Sequence, residues 1–255
     1  MTFVSRLKKI AKECGQILLR ATDIEEGIIT KAGKANYVTA YDFTIQESLR
    51  KSLTDILPSA GFMGEEDPDE TQIFSEYVFI VDPIDGTTNF MRDAKASCIS
   101  IALTFHGNPV VGVVYNPYLE ECFWAVEGKG AFLNDKKITV SDKLLQDCLI
   151  YFGTSPYEVE WSQKSFSIAY EYFQHAADIR RSGSAALDLC AVACGRGDFF
   201  FELCLQPWDY AAASLIVTQA GGVMSDLWGT PITYDRKQIV VARAKNVELL
   251  PLSRF

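Results

Sequence analysis

The densest chemical signal in the chain is the run Asp82-Pro83-Ile84-Asp85-Gly86-Thr87-Thr88-Asn89-Phe90. Asp82 and Asp85 stand three positions apart, so both carboxylates can turn toward one point. Two ionised carboxylates held close repel each other, and a cation between them relieves the repulsion. Oxygen donors without His or Cys suit Mg²⁺, which keeps waters and shares the oxygens of a substrate phosphate. Gly86 and Thr87 offer backbone N–H groups at a predicted helix start, where a phosphate is favoured. Two more acidic groups flank this run: Gly64-Glu65-Glu66-Asp67 upstream and Trp208-Asp209-Tyr210-Ala211-Ala212 downstream. Taken alone, the first reads as a solvated acidic turn, and Asp209 reads as a helix N-cap.

These groups need elements to position them. The apolar, β-prone run 77–81 predicts a strand that ends in Asp82-Pro83. Asp82 then sits at the C-terminal end of a strand, where sheet proteins tend to bind ligands. Phe3, Leu7, Ile10, Cys14, Ile17 and Leu18 recur at helical steps, as do Ile45, Leu49, Leu53 and Ile56, with Pro58 and Gly61 ending the second pattern. Further strands are predicted over 97–105, 109–115 and 121–126, with turns at His106-Gly107-Asn108 and Asn134-Asp135. A polar stretch over 141–147 divides the chain into two expected halves, 1–143 and 144–255. The second half reads as strand 148–152, helices near 162–175 and 185–194, and a strand near 198–203. A last helix is opened by Asp209 and closed by Gly221-Gly222. There is no internal repeat.

Composition narrows the function classes. The 255 residues carry a net charge of −9, with 48% apolar and 22% charged residues, as in an ordinary globular protein. Such an acidic chain disfavours broad electrostatic binding to nucleic acid, and none is expected. Phosphate remains accessible where metals or backbone N–H groups supply local positive charge. The seven cysteines show no C-x-x-C pair and read as buried thiols in a reducing compartment. The N-terminus has no continuous apolar core of a signal peptide, and no run is long enough to span a bilayer. A cytoplasmic location and no membrane partner are therefore expected. His106 and His175 have no partner motif and read as structural or surface residues.

The run 82–90 resembles the signature of the inositol monophosphatase family, and the resemblance covers nearly the whole chain. Gly64-Glu65-Glu66 and Trp208-Asp209-Tyr210-Ala211-Ala212 match in order and approximate spacing. Val38-Thr39-Ala40-Tyr41-Asp42, Gly112-Val113-Val114-Tyr115-Asn116-Pro117, Gly128-Lys129-Gly130-Ala131-Phe132 and Arg181-Ser182-Gly183-Ser184-Ala185-Ala186 match as well. The resemblance implies an α/β fold, a layered αβαβα sandwich of two fused halves. It also implies two to three Mg²⁺ ions per site, lithium sensitivity and a homodimer. Glu65, Asp82 and the carbonyl of Ile84 would hold one ion, and Asp82, Asp85 and Asp209 a second. Gly86 and Thr87 would bind phosphate, and Thr87 paired with Asp42 would help Glu65 orient the attacking water. The implied reaction is in-line attack by a metal-activated water on a small phosphate monoester, without a phosphoenzyme.

The resemblance also points to a substrate side. Gly183, Ser184 and Ala185 match the segment that lines the alcohol pocket, with Asp85 and Asp209 at its floor. Glu202 matches a position that reads ring hydroxyls; the bland alternative is a strand-end surface charge. Arg180 and Arg181 would serve a second phosphate, a partner subunit or nothing but solvation. The segment 91–97 lacks the family's proline-bearing stretch, and 151–174 resembles it only loosely. The loop of Lys31, Gly33, Lys34 and Asn36 resembles a mobile loop that closes over the metals. The expected substrate is a small phosphorylated polyol or sugar, inositol 1-phosphate first. The alternatives are a fructose-1,6-bisphosphatase, a histidinol-phosphate phosphatase, a 3′-phosphoadenosine nucleotide phosphatase, or a non-enzymatic regulatory partner of the transcription machinery.

Overall fold

The computed structural model describes residues 2–22, 24, 28–30, 37–67 and 75–252. The loop of Lys31, Gly33, Lys34 and Asn36 lies outside the described residues. Helix α1 (Phe3–Leu19) is followed by a short antiparallel ribbon, β1 (Ile29–Thr30) and β2 (Tyr37–Val38), and by α2 (Ala40–Ile56). Thr2 caps α1, accepting from Ser5 N–H, and Thr39 caps α2 in a capping box with Asp42. Leu7, Ile10, Cys14, Leu49 and Leu53 turn the apolar faces of both helices onto a sheet, against Phe79, Ile101 and Val113.

That sheet has seven strands in sequence order: β3 (Gly61–Gly64), β4 (Tyr77–Asp85), β5 (Cys98–Phe105), β6 (Asn108–Asn116), β7 (Glu121–Val126), β8 (Gly130–Leu133) and β9 (Lys136–Ile138). β3 and β4 are parallel and the other neighbours antiparallel. The five-residue helix α3 (Thr87–Met91) follows β4. The later chain builds β10 (Leu149–Phe152), α4 (Val159–Phe173), β11 (Asp178–Arg180), α5 (Ala185–Ala193), β12 (Phe199–Leu205), α6 (Pro207–Gln219), β13 (Val223–Ser225) and β14 (Gln238–Arg243). Its strands form a second sheet in the order β11-β10-β12-β14-β13.

Helices α5 and α6 lie between the two sheets, and α4 covers the outer face of the second. The layers are therefore α1/α2, seven strands, α5/α6, five strands and α4: the αβαβα sandwich that the resemblance implied. α6 is apolar all round because sheets cover it on both sides, and every residue from Tyr210 to Val217 is buried. Its contact with β6 is so close that a Cβ on Gly112 would lie 2.4 Å from Ala212 O. Among the described residues, no helix is long and apolar enough to cross a membrane.

Three local readings change. β4 does not stop at Asp82 but continues to Asp85 through a bulge. Asp82 pairs with Ser100 and Asp85 with Cys98, so two residues on β4 face one on β5. The bulge absorbs Pro83, which has no N–H for the ladder. Gly61 does not merely end α2; it begins β3. Asp209 does not cap α6. Gln206 is the N-cap, Pro207 opens the helix, and Asp209 is the third helical residue.

Candidate active site

The bulge in β4 and the turn after it bring the acidic run together. Asp82 Oδ1 accepts from Ile84 N–H at 2.9 Å, which ties the first carboxylate to the bulge. Gly86 adopts φ +91° as the N-cap of α3. A side chain there would be strained, and its Cβ would lie 3.0 Å from Ala96 O. Thr87 Oγ1 donates to Ile84 O at 3.1 Å and to Asp42 Oδ1 at 3.3 Å. Asp42 Oδ2 accepts from Thr39 N–H at 2.7 Å and Thr39 Oγ1 at 2.6 Å. The carboxylate that caps α2 thus also fixes the hydroxyl of Thr87.

Residues distant in sequence complete the arrangement. Asp85 Oδ2 accepts from Ser184 Oγ at 2.5 Å and from Ala186 N–H at 2.7 Å, both at the start of α5. Asp209 Oδ2 accepts from Gln206 N–H at 2.8 Å in the capping box of α6. Glu65 follows β3, its N–H donating to Val81 O at 3.3 Å. Asn89 joins the signature to the second half: its Nδ2 donates to Ala96 O at 2.8 Å and to Ser182 O at 3.0 Å. Gly183, at φ +91°, leaves room for that amide, which would lie 3.1 Å from a Cβ.

Glu65, Asp82, Ile84, Asp85, Gly86, Thr87, Glu202 and Asp209 line one cleft of about 350 Å³. An adjoining lobe of about 290 Å³ adds Gly183, Ser184, Ala185, Arg181 and Asp188. Asp42 lies behind Thr87. Burial pushes the carboxyl of Asp82 well up, and Glu65, Asp85 and Asp209 push it further. Asp209 is raised by burial, then by Asp85 and Glu65. Burial also raises Asp85, against the hydrogen bonds from Ser184 and Ala186. Like charges in a desolvated cleft are what a cation relieves. Each aspartate has one oxygen held by a backbone N–H, which leaves the other as the natural donor to a cation. Among the described residues no three His, Cys, Asp or Glu side chains stand close enough together to hold a metal ion by themselves, so a cation here would need waters or substrate oxygens to complete its shell. The donor set, all oxygen and open to the cleft, fits hard divalent cations that retain waters and share a substrate's oxygens. A cavity of about 430 Å³ beside Met63, Val78, Ile232 and Tyr234 is mainly apolar and has none of these carboxylates in its lining.

Glu202 is no strand-end surface charge. It lies on β12, is 8% exposed, and its Oε1 accepts from Ser155 N–H at 2.7 Å and Ser155 Oγ at 3.3 Å. Burial raises its carboxyl to about 7, with Ser155 and Arg181 opposing. Ser155 holds φ +42°, unusual for a residue with a side chain. Arg180 pairs with Asp178 on the surface, and Arg181 is exposed at the lobe. His106 and His175 are exposed. All seven cysteines are free thiols. Sequence reasoning missed Ser155 and Tyr157 as cleft residues, because the weakly patterned segment 151–174 gives no signal, and Asp188, which reads as one polar residue within the apolar helix α5. Asn89 lay within the signature but was given no role.

An open cleft lined by the carboxylates of Glu65, Asp82, Asp85 and Asp209 suits a hydrolase that works on an anionic ester with the help of cations, and comparison with known proteins names the class. The profile of the inositol monophosphatase family matches residues 2–253. The putative Nus factor SuhB of Neisseria meningitidis serogroup B is 36% identical over 245 residues, covering 95% of this chain and 94% of that protein. Inositol monophosphatase 2 of Solanum lycopersicum is 37% identical over 250 residues, covering 95% and 94%. The crystal structure of the extragenic suppressor protein suhB from Bartonella henselae superposes with a TM-score of 0.87 at 36% identity, covering 95% and 94%. The chain belongs to the inositol monophosphatase family and is a phosphatase-class hydrolase.

Proposed function

We propose that this chain hydrolyses a small phosphorylated polyol or sugar, with inositol 1-phosphate as the reference substrate and Mg²⁺ as the cation. The observation that carries the reading is the convergence of Glu65, Asp82, Asp85 and Asp209 on one cleft with the backbone N–H groups of Gly86 and Thr87. Glu65, Asp82 and Ile84 O would hold one cation, and Asp82, Asp85 and Asp209 a second, with Glu65 reaching a third through water. When bound, such cations neutralise the phosphate's charge and lower the pKa of water in the site. Gly86 and Thr87 N–H orient the phosphoryl group. The Thr87 hydroxyl donates to Asp42 and Ile84 O, so its lone pairs accept a proton-side hydrogen bond from a water. Glu65, which lines the same cleft, would be a second acceptor, and the two together would aim that water for in-line attack. Gly183, Ser184, Ala185 and Glu202 face the alcohol. A buried carboxylate suits vicinal hydroxyls, which donate to it.

A cytoplasmic homodimer of two fused halves, 1–143 and 144–255, belongs to the same reading. The transcription-partner reading draws on one observation, the similarity to a putative Nus factor at 36% identity. Retention of all four carboxylates favours catalysis, since an unused cluster only costs stability through repulsion. The deciding assay is phosphate release from inositol 1-phosphate, fructose 1,6-bisphosphate, histidinol phosphate and 3′-phosphoadenosine 5′-phosphate, with Mg²⁺ and with EDTA. Metal-dependent release with inositol 1-phosphate as favourite is expected. No release from any member by folded, Mg²⁺-loaded protein would overturn the proposal.

A further inference from the structure

The two lobes of the cleft meet at Tyr157. It lines both, as do Asp85, Gly86, Thr87, Glu202, Leu205 and Asp209. Of the two hydroxyls in this shared set, that of Thr87 is committed to Asp42 and Ile84 O. The hydroxyl of Tyr157 has no hydrogen-bond partner among the described residues. The residue is 49% exposed, so in the free protein its hydroxyl meets solvent at the mouth of the cleft, where a ligand hydroxyl can replace that water. Its surroundings settle its protonation. Although the side chain is half exposed overall, its partial burial at the cleft, and then the charges of Glu65, Asp209, Asp85 and Asp82, disfavour the phenolate, so the group is a donor.

The backbone fixes where this donor stands. Ser155, at φ +42°, has both its N–H and its hydroxyl on Glu202 Oε1, and Pro156 restricts the next step. On the other side Glu158 pairs with Lys237 at 2.5 Å, across 79 residues of sequence. Tyr157 is thus held between two anchors. The cleft it overhangs is rich in acceptors, and apart from Arg181 at the rim its donors Thr87, Ser155, Ser184 and Lys237 are committed to Asp42, Glu202, Asp85 and Glu158. A polyol needs both, because each hydroxyl accepts as well as donates. Glu202 supplies the acceptor on this side.

Resting on the phosphatase reading above, we propose that Tyr157 is a specificity-determining residue: its phenol donates a hydrogen bond to the polyol hydroxyl next to the phosphorylated carbon. The side chain lines both lobes, and the hydroxyl would complement Glu202 across the alcohol. The contact concerns the alcohol and not the phosphoryl group, so it tells phosphorylated polyols from phosphate esters that lack hydroxyls.

The test compares wild type with Tyr157→Phe and Tyr157→Ala in the full chain with Mg²⁺. KM and kcat are measured for inositol 1-phosphate and for 4-nitrophenyl phosphate, and binding of inositol 1-phosphate is followed by calorimetry. Loss of one neutral hydrogen bond predicts a KM for inositol 1-phosphate raised about 3- to 10-fold in Tyr157→Phe, with kcat within about twofold. The constants for 4-nitrophenyl phosphate and the melting temperature should not move, since the hydroxyl has no protein partner to lose. Tyr157→Ala, which also removes the ring, should raise the first KM further. Equal changes on both substrates, or no change on either, would overturn the inference. If wild type turns over neither substrate, the phosphatase reading falls, and calorimetry still decides this one. Weaker binding of inositol 1-phosphate by Tyr157→Phe supports it, and unchanged or absent binding in all three proteins rejects it.

Discussion

Replacing Gly153 by alanine tests the placement of Glu202, on which the substrate side of the cleft depends. An alanine Cβ would lie 1.8 Å from Glu202 Oε2 and 2.5 Å from Oε1. The backbone has little room to retreat. Gly153 N–H donates to Phe201 O at 2.9 Å, and Phe152 pairs with Phe201 across β10 and β12. The carboxylate must therefore swing away, and the N–H of Ser155, a residue only 2% exposed, loses its acceptor. A buried donor left unpaired costs about 1–3 kcal/mol. The smaller unfolded-state entropy of alanine returns at most about 1 kcal/mol. A net loss of about 1–2 kcal/mol should lower the melting temperature by about 2–8 °C in a chain of this size. On the proposed reading of Glu202 as the acceptor of the alcohol's hydroxyls, KM for inositol 1-phosphate should rise about tenfold, because that carboxylate has moved. Hydrolysis of 4-nitrophenyl phosphate should keep most of its rate, because the Asp82, Asp85 and Asp209 set is untouched. Glu202→Gln provides the pH control. Burial holds Glu202 at about 7 against an ordinary 4.5, so the folded state binds a proton that the unfolded chain has released. That stability is full below about pH 4.5 and is lost as pH rises through about 7. The glutamine variant should lack this decline. A Gly153→Ala protein with the melting temperature and KM of wild type would refute the placement of Glu202 against Gly153.

Asp85→Asn should reduce kcat/KM by at least about 100-fold while the fold survives, because an amide oxygen can still accept from Ser184 and Ala186 while the charge is gone. Its metal-free melting temperature should equal or exceed wild type, since one of the charges raising Asp82 is removed; near-normal turnover would reject Asp85 as a cation ligand. Asp188→Asn should flatten the dependence of stability on pH. Burial raises Asp188 from 3.8 to about 8, so its contribution is full below about pH 4 and is lost as pH rises toward 8. Urea melts should show the wild type losing up to about 1.4 kcal/mol per pH unit more than the variant across that window, and parallel slopes would reject the assignment.

What the sequence made legible was the chemistry, because chemistry travels with residue type. Four carboxylates, a Gly-Thr step and no histidine nearby describe the same donor set before and after folding. The helical periodicities of α1 and α2 were legible for a similar reason: each needs one buried face, and the pattern of Leu7, Ile10 and Cys14 records it. Features that depend on partners far along the chain were not. β3, β11, β13 and β14 are short or weakly patterned, and their neighbours in the sheets decide them. The bulge between Asp82 and Asp85 appears only when Ser100 and Cys98 are laid beside them. Asp85 is set by Ser184, 99 residues away, and Glu202 by Ser155, 47 residues away.

These long-range bonds explain how an acidic cleft of this kind can fold. Asp82, Asp85 and Asp209 are each anchored through one oxygen by a backbone N–H, from Ile84, Ala186 and Gln206 respectively. Those N–H groups belong to a strand bulge and two helix starts, places where donors are left over by the regular ladders. The same irregularities that free the donors also bring all three aspartates to the lining of one cleft. Repulsion among the carboxylates is therefore opposed locally, one carboxylate at a time, by secondary structure that each sequence segment forms for its own reasons. A substitution that strains the turn after the bulge, such as an alanine for Gly86 at φ +91°, would disturb the site without touching a single carboxylate.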